Sequence, residues 1–376
     1  MTKLRIVLTG NTCFKIANFR AGLLQALLAQ NIKVIVLAPR DDCTPKLESM
    51  GIEFHDLLMD RNGTSPLAEM ALLRRIYRFM RRERPDTVFS YTIKNNIYAG
   101  LACRRLGIPF IPNVTGLGPA FNDAGVLNHI IRLLYQQAFA RASAVFFQNP
   151  EDRGEFLRAR LVSAARARLL PGSGVDLQAF RAAPLPSDES GPIFLMVSRI
   201  LWDKGVGLFV EAAQHLRKIY PQAQFQLLGP IDENSRSAIP RAQIEDWHKE
   251  GAITYLGETQ DVRPALTEAH CIVLPTWYRE GTPRILLEAA ATARPVITTN
   301  IPGCRDAVEA DVTGWLCRPQ DVDALTEAMR EFLNMPHSQR AAMGRSARAR
   351  AEAAFDEEIV IQAYLDHLPS ATREDR

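Results

Sequence analysis

Residues 271–299 read CIVLPTWYREGTPRILLEAAATARPVITT, and this stretch predicts a strand, a helix and a second strand. The apolar run Cys271–Leu274 is typical of a strand buried in a parallel sheet, and so is the run at 295–299. Thr282 and Pro283 predict the helix start, because a hydroxyl favours the cap position and proline favours the first helical position. A β-α-β unit of this kind is the building block of an α/β domain.

Two carboxylates flank the predicted helix start. Glu280 precedes it in the loop, and Glu288 lies about one and a half turns inside the helix. The N-terminus of a helix attracts phosphate, and carboxylates accept hydrogen bonds from hydroxyl groups. The stretch therefore indicates a site for a ligand that is both anionic and hydroxylated, although two solvated surface glutamates would give the same pattern.

The alternation of strands and helices continues in both directions along the chain. Strand-like runs at 5–8, 33–38, 87–90 and 110–113 alternate with helical segments, the first of them at 18–30, and a second series starts at 193–197. Between the two series, residues 182–192 are rich in proline and small residues, which is typical of a linker. The predicted fold is α/β, with two Rossmann-like doubly wound domains at 1–184 and 185–355 facing a central cleft. A C-terminal helix in 356–376 could cross back to the first domain.

Composition excludes several classes of protein. The net charge of +3 and the lack of a zinc-finger or RNA-binding signature argue against nucleic acid as a partner. Six scattered cysteines with no CxxC pair, and no signal peptide, predict a reduced, cytoplasmic protein. The histidines show no ligand spacing, and Asp321 and Asp323 precede a helical run, where capping explains them. We therefore expect no metal site.

The segment 66–84 predicts a basic amphipathic helix. At about 100° per residue, one side carries Arg74, Arg75, Arg78, Arg81 and Arg82, and the other carries Leu72, Leu73, Ile76, Phe79 and Met80. Such a helix can rest on an anionic membrane surface. It can equally be a surface helix whose apolar side packs on the sheet.

Polar side chains also follow predicted strands. Lys94 and Asn95 come after the strand at 87–90, and Arg199 and Lys204 lie in the loop SRILWDKG after the strand at 193–197. Open parallel sheets bind ligands at the carboxyl ends of their strands. An arginine clamp and a lysine point charge suit a diphosphate, and cations fixed there would stabilise the charge that develops on a departing diphosphate.

These motifs carry a family resemblance over nearly the whole chain. RILWDKG (199–205), EGTPRILLE (280–288) and GSGVD (172–176) resemble the retaining GT-B glycosyltransferases of the Glu-x7-Glu type, group 1 or family 4. NFR (18–20), YTIKNNIYAG (91–100), NVTGLG (113–118) and LLGPIDENS (227–235) are similar to bacterial enzymes that add a sugar, often N-acetylgalactosamine, to undecaprenyl diphosphate-linked saccharides.

The resemblance implies a role for each matched residue. The catalytic residues would be Arg199, Lys204 and Glu280. The donor would be bound by Gly10, Asn18, Leu256, Gly281, Thr282, Pro283 and Glu288, and the acceptor by Lys94 and Asn95. Many relatives place a histidine from the first domain near the reacting carbon, but YTIKNN contains none. Retention in this family is explained by front-face attack, so no nucleophile is assigned. Trp202, Trp277 and Arg284 are expected to shape the pocket that selects the sugar.

The predicted function is transfer of a sugar, an N-acetylhexosamine, from a UDP-sugar to a polyprenyl-diphosphate-linked glycan, in the assembly of a surface polysaccharide or a glycoprotein glycan. No metal or other cofactor is expected beyond the UDP-sugar co-substrate. The helix at 66–84 would hold the enzyme on the inner face of the bacterial cytoplasmic membrane as a peripheral protein. The alternatives are a nucleotide-sugar epimerase of the same fold and an inactive nucleotide-sugar-binding subunit.

Overall fold

The computed structural model describes residues 3–60, 63, 65–117, 125–233 and 235–369. The chain forms two compact units, Met1–Ser173 with Glu357–Arg376, and Gly174–Asp356. Each unit has a parallel sheet whose strands are connected mostly through helices. This confirms the predicted class of two doubly wound α/β domains.

The first unit is built on seven strands among its described residues. They are β1 (Arg5–Thr9), β2 (Lys33–Ala38), β3 (Glu53–Asp56), β4 (Thr87–Tyr91), β5 (Phe110–Val114), β6 (Val145–Phe147) and β7 (Ala167–Leu169), in the order β3-β2-β1-β4-β5-β6-β7. Its helices are α1 (Cys13–Phe19), α2 (Ala21–Ala29), α3 (Thr44–Ser49), α4 (Pro66–Glu83), α5 (Ile93–Leu106), α6 (Val126–Phe139) and α7 (Pro150–Arg158), with α15 (Glu357–Leu365) from the end of the chain. The strand order changes direction between β1 and β4, where such sheets bind ligands.

The second unit repeats this plan with six strands among its described residues. They are β8 (Ile193–Val197), β9 (Gln224–Leu228), β10 (Thr254–Tyr255), β11 (Cys271–Leu274), β12 (Val296–Thr299) and β13 (Gly314–Cys317), in the order β10-β9-β8-β11-β12-β13. Its helices are α8 (Val206–Arg217), α9 (Arg241–Lys249), α10 (Arg263–Glu268), α11 (Arg284–Ala291), α12 (Cys304–Ala307), α13 (Val322–Asn334) and α14 (His337–Ala354). Here the order changes direction between β8 and β11.

Both faces of each sheet are covered, which explains why the strands are nearly continuous apolar runs. In β1, for example, Ile6 and Leu8 pack into one core, whereas Val7 packs into a second core on the opposite face. Successive side chains of a strand point to opposite faces, so both sets must be apolar.

The last helix, α15, contributes to the core of the first unit. Its Tyr364 is fully buried, with its ring centroid 4.7 Å from that of Phe89 and 4.9 Å from that of Phe146. The amide of Asn113 donates a hydrogen bond to the Tyr364 hydroxyl at 3.1 Å. These contacts attach the end of the chain to strands β4, β5 and β6.

The boundary between the units lies earlier than the expected break after residue 184. The first unit ends at Ser173, because Val175 already donates its amide to the Phe355 carbonyl of the second unit at 2.8 Å. The proline-rich segment that follows is not a free linker. The fully buried guanidinium of Arg294 donates hydrogen bonds to the carbonyls of Ala183 and Pro184, both at 3.0 Å, and so holds this segment on the second unit.

The helix predicted at 18–30 is wrong in its start and is interrupted. The Thr12 side chain accepts a hydrogen bond from the Lys15 amide at 3.1 Å and so caps a helix that begins at Cys13. Arg20 then has φ −132°, outside the helical region, and separates α1 from α2. Its guanidinium lies 4.6 Å from the centre of the Tyr91 ring, a tertiary contact that local sequence does not reveal.

The basic amphipathic helix is confirmed as α4. Leu72, Ile76, Phe79 and Met80 are buried, and all five arginines of the polar side are exposed. The apolar side therefore packs inside the first unit, as a surface helix requires. Of these arginines, Arg75 and Arg82 are held by Leu58 and Glu83, and the other three remain available to an external partner.

Candidate active site

The residues predicted to bind the donor phosphate and sugar meet at one edge of the second sheet. Arg199 and Lys204 follow β8, whereas Glu280 and Glu288 follow β11. These two strands are neighbours, paired in parallel at Cys271 and Phe194. Their carboxyl ends are therefore adjacent, at the point where the strand order changes direction.

Backbone hydrogen bonds join the loops that follow these two strands. The Asp203 carbonyl accepts hydrogen bonds from the amides of Trp277 and Tyr278 at 3.0 and 3.2 Å, and from the Thr276 hydroxyl at 3.1 Å. Gly205 lies against the second loop with φ +84°, and a Cβ at this position would be 2.2 Å from the Pro275 carbonyl oxygen. Only glycine permits so close an approach, so the two loops form one structural unit.

An ion pair that includes a buried lysine lies in this unit. Lys204 is only 7% exposed, and its ammonium pairs with the carboxylate of Glu280. The same ammonium is 5.0 Å from the centre of the Tyr278 ring, within the range of a cation–π contact. A positive group held in so little water would act strongly on an anion placed beside it.

Arg199 belongs to the same group of charges but is more exposed. It donates a hydrogen bond to the carboxylate of Asp232 at 3.0 Å. Burial raises the pKa of the Tyr278 phenol, and the positive charge of Arg199 opposes that rise. The two joined loops after β8 and β11 therefore carry all three residues predicted to be catalytic.

Glu288 is a buried carboxylate on α11. Its Oε1 accepts a hydrogen bond from Nε of Arg284 at 2.6 Å, and the two side chains are only 11% and 14% exposed. Burial raises the pKa of Glu288, and the charge and hydrogen bond of Arg284 oppose that rise. The sequence suggested Arg284 only as part of the sugar pocket; its spacing of four residues from Glu288 was the signal for this pair.

The start of α11 differs from the prediction. The helix begins at Arg284 rather than Pro283, and Pro283 occupies the capping position with ψ 121°. Extended backbone at this position keeps Thr282 and Pro283 in the loop, so Thr282 is not the cap. The loop that carries the predicted donor-binding residues, called the donor loop below, therefore runs from Trp277 to Pro283.

A third loop, after β12, supports the donor loop. Gly303 has φ +81°, and a Cβ there would lie 1.5 Å from the carbonyl oxygen of Gly281. The turn thus presses directly against the backbone between Glu280 and Thr282. Sequence reasoning missed this support; the available signal was a proline–glycine pair after a predicted strand.

Leu256 lies at the same edge of the sheet. It follows β10, its amide donates a hydrogen bond to the Leu227 carbonyl at 2.8 Å, and its side chain is 42% exposed. An exposed leucine at a strand end is suited to contact the flat face of a base.

In the first unit, Gly10 and Asn95 also follow neighbouring strands, β1 and β4. Asn95, however, is fully buried. Its amide donates to the Thr9 hydroxyl at 2.8 Å, and its carbonyl oxygen accepts from the Thr92 hydroxyl at 3.0 Å. The prediction that Asn95 binds an acceptor is corrected: the side chain has no exposed surface and instead connects the two strand ends.

Lys94 is partly exposed, but its ammonium is fully engaged. It donates hydrogen bonds to the carbonyls of Asp60 and Gly63 at 2.7 and 2.6 Å, and it pairs with Glu69 of α4. An ammonium has three donors, so this arrangement uses all of them. Lys94 therefore attaches α4 to α5 in this structure.

Asn18 lies on α1, where its amide is likewise engaged. Its Nδ2 donates to the Phe14 carbonyl at 3.1 Å, and its Oδ1 accepts from Nζ of Lys46 at 3.0 Å. To contact the donor as predicted, the Asn18 side chain would have to break its hydrogen bond with Phe14 or with Lys46.

The capping interpretation of Asp321 is confirmed. Its carboxylate accepts a hydrogen bond from the Ala324 amide at 2.8 Å at the start of α13. In the part of the chain that the structure describes, no group of three potential metal ligands is present. Within the same residues, no helix is both long and apolar enough to cross a bilayer.

Two family models match the two halves of the chain. Residues 16–172 match the glycosyl transferase 4-like domain, and residues 179–350 match the glycosyl transferases of group 1. The chain is a glycosyltransferase whose second half is a group 1 domain. It is therefore a transferase enzyme, and its reaction is the transfer of a glycosyl group.

Curated relatives of this glycosyltransferase include two enzymes whose names specify lipid-linked acceptors. The N,N'-diacetylbacillosaminyl-diphospho-undecaprenol alpha-1,3-N-acetylgalactosaminyltransferase of Campylobacter jejuni is 27% identical over 96% of this chain and 97% of its own length. The UDP-Gal:alpha-D-GlcNAc-diphosphoundecaprenol alpha-1,3-galactosyltransferase of Escherichia coli is 25% identical over 70% of each chain.

Solved structures establish the fold. HepE from Anabaena, crystallised with UDP and glucose, matches with a TM-score of 0.79 and 17% identity over 97% of this chain and 99% of its own. The sucrose-phosphate synthase of Thermosynechococcus elongatus matches with a TM-score of 0.78 and 20% identity over 97% and 98%. The glycosyltransferase thus has the two-domain GT-B fold.

Proposed function

We propose that this enzyme is a retaining glycosyltransferase that moves an N-acetylhexosamine from a UDP-sugar to a polyprenyl-diphosphate-linked glycan. The observation that carries the proposal is the ion pair between the buried Lys204 and Glu280, in the loop that leads into α11 with its buried carboxylate Glu288. Cations and carboxylates at this site match the two parts of a nucleotide sugar. The names of the Campylobacter and Escherichia relatives support the acceptor class, and the name of the Campylobacter relative supports the aminosugar.

Each side chain has a distinct part in this proposal. Lys204 and Arg199 bind the donor diphosphate, and they stabilise it more strongly as negative charge develops on the departing oxygen. Glu288 accepts hydrogen bonds from the ribose hydroxyls, and Glu280 with the Gly281 backbone orients the sugar. Leu256 contacts the base.

The reaction needs no nucleophile from the chain. The bond between the anomeric carbon and the diphosphate oxygen breaks, and the acceptor oxygen bonds to the same face of that carbon. The acceptor proton passes to the departing phosphate, so atoms and charges balance. We propose that this proceeds without a metal ion, because two fixed cations already offset the charge of the diphosphate.

We also propose that the enzyme works in the cytoplasm, as a peripheral protein on the inner membrane surface. The exposed arginines of α4 support this, since each basic residue near an anionic surface adds to the attraction. The acceptor would be presented from that membrane to the first domain.

The experiment is a transfer assay with UDP-N-acetylgalactosamine and a short polyprenyl-diphosphate-linked saccharide. Lys204→Ala and Glu288→Ala are each expected to lower turnover on the order of 100-fold. Lys249→Ala and Glu268→Ala remove the same groups from exposed helix ends of the same domain and should leave turnover unchanged.

Four results of this assay would contradict the proposal. Near-normal turnover of both Lys204→Ala and Glu288→Ala would show that these residues do not form the active site. Conversion of the nucleotide sugar without acceptor would indicate an epimerase, and donor binding with no UDP release in the presence of acceptor would indicate an inactive subunit. A rate that falls in excess chelator would contradict the metal-independent mechanism.

A further inference from the structure

The first unit contains a surface groove between α4 and α5, and this groove is not part of the candidate active site. The groove has a volume of about 310 Å³. This is at the lower end of the size range of small-molecule sites. Its floor is formed by Leu73, Tyr77, Leu101 and Ala102, and these side chains make it almost entirely apolar.

Three arginines line the rim of this groove. Arg74 and Arg78 come from α4 and Arg105 from α5, and all three are exposed. Among the residues that the structure describes, no hydrogen bond or ion pair is recorded for any of these guanidinium groups. Other arginines of α4 are engaged, since Arg75 donates to the Leu58 carbonyl and Arg82 pairs with Glu83.

The positive charge of the rim is not balanced by α4 itself. The two acidic residues of the helix, Glu69 and Glu83, pair with Lys94 and Arg5 respectively. The pair between Glu69 and Lys94 also connects α4 to α5, the two helices that form the walls. The groove is therefore held in shape by contacts made within the unit, and its rim carries three uncompensated positive charges.

We propose that this groove binds a single anionic membrane lipid. The lipid phosphate lies among Arg74, Arg78 and Arg105, and the start of its chain lies on the apolar floor. A cluster of guanidinium groups is suited to a phosphate, and an apolar surface next to it is suited to a hydrocarbon chain. The inference rests on the proposed function in one respect, namely that the enzyme works at a membrane.

The proposal is more specific than electrostatic attraction of α4 to a membrane. Diffuse attraction depends on the number of arginines near the surface and not on which ones they are. A site in the groove depends on the rim arginines and on the floor, and it does not depend on arginines elsewhere on the helix.

The test is sedimentation with vesicles of phosphatidylcholine containing phosphatidylglycerol, without nucleotide sugar. Arg78→Gln/Arg105→Gln removes two rim charges, and Arg81→Gln/Arg84→Gln removes two charges from outside the groove. The first pair is expected to weaken vesicle binding on the order of 100-fold, or about tenfold for each arginine, because each loses a hydrogen bond to the charged phosphate. The second pair should weaken it far less, although the net charge is the same.

Two further arms separate the possible ligands. Leu101→Gln changes the floor without changing charge and is expected to weaken vesicle binding. Inorganic phosphate should not displace the vesicles more than chloride does at equal ionic strength. Equal losses from the two arginine pairs, an unchanged Leu101→Gln variant, or displacement by inorganic phosphate would each overturn the lipid site.

The thermal shift caused by UDP provides the control for folding and for the donor site. Since the groove lies in the first unit, all variants should show the UDP shift of the wild type. If UDP causes no shift even in the wild type, the proposed function fails, whereas the vesicle result still decides the lipid site.

Discussion

Replacing Arg284 with glutamine is expected to weaken donor binding most at acidic pH. In the wild type, burial raises the pKa of Glu288, and the charge and hydrogen bond of Arg284 oppose that rise. Without Arg284 the carboxyl stays protonated to a higher pH. A protonated Glu288 accepts ribose hydroxyls less well, so donor affinity in the variant should recover only as the pH is raised.

The size of the effect follows from the contact. A hydrogen bond to a charged group contributes about 1.5–3 kcal/mol. Arg284 and Glu288 are both largely shielded from water, so solvent screens little of this interaction. Its loss moves the equilibrium between ionised and protonated Glu288 about 10- to 150-fold toward the protonated form. At pH values where Glu288 is ionised in the wild type but protonated in the variant, donor affinity should fall by up to the same factor.

The assay is the dissociation constant for UDP measured by calorimetry across the acidic and neutral range. Glu288→Gln has no carboxyl to titrate, so in that variant this contribution to the pH dependence should be absent. Arg284→Lys keeps the positive charge and should lie between wild type and Arg284→Gln. If Arg284→Gln shows the same pH dependence as the wild type, the pairing of Arg284 with Glu288 does not control the donor site.

The same carboxyl affects the stability of the enzyme in a defined direction. Because its pKa in the folded protein is raised above the ordinary value of 4.5, its contribution to the free energy of unfolding is complete below that value and is lost as the pH rises through the raised pKa. Arg284→Gln should extend this loss to higher pH, as urea unfolding at a series of pH values would reveal.

Three further variants test other parts of the structure. Gly303→Ala places a Cβ against the Gly281 carbonyl, which should displace the donor loop and lower turnover on the order of 100-fold. The control is Gly257→Ala, which has a similar positive φ but no atom within 4 Å of the added Cβ and should retain activity. Asp321→Ala removes the cap of α13 and should lower the free energy of urea unfolding by about 0.5–2 kcal/mol, with full activity in chelator. Tyr364→Phe leaves a buried amide without its acceptor and should cost about 1–3 kcal/mol in the same unfolding assay.

Much of the fold was predictable from the sequence because buried parallel strands are continuous apolar runs. The strands β2, β8 and β11 have the predicted bounds. The meeting of Lys204 with Glu280 was also predictable, since each follows a strand and adjacent parallel strands end at one edge. Such inferences need only local pattern and the geometry of a sheet.

Other features depend on contacts between distant residues and were not predictable. The burial of Asn95 follows from its bond to Thr9, which is 86 residues away in the chain. The proline-rich segment resembled a linker, but the buried Arg294 holds it on the second unit. No local pattern identifies such partners, because burial and pairing are set by tertiary packing.

The hydrogen bond between the Val175 amide and the Phe355 carbonyl has a consequence for the modularity of this enzyme. It joins the beginning and the end of the second unit, so that unit is one uninterrupted segment whose termini lie side by side. Because one continuous stretch of coding sequence specifies this unit, it can be exchanged between relatives in a single step. Under the proposed function, new donor specificities can therefore be grafted onto an unchanged first unit, provided that the final helix stays with that unit.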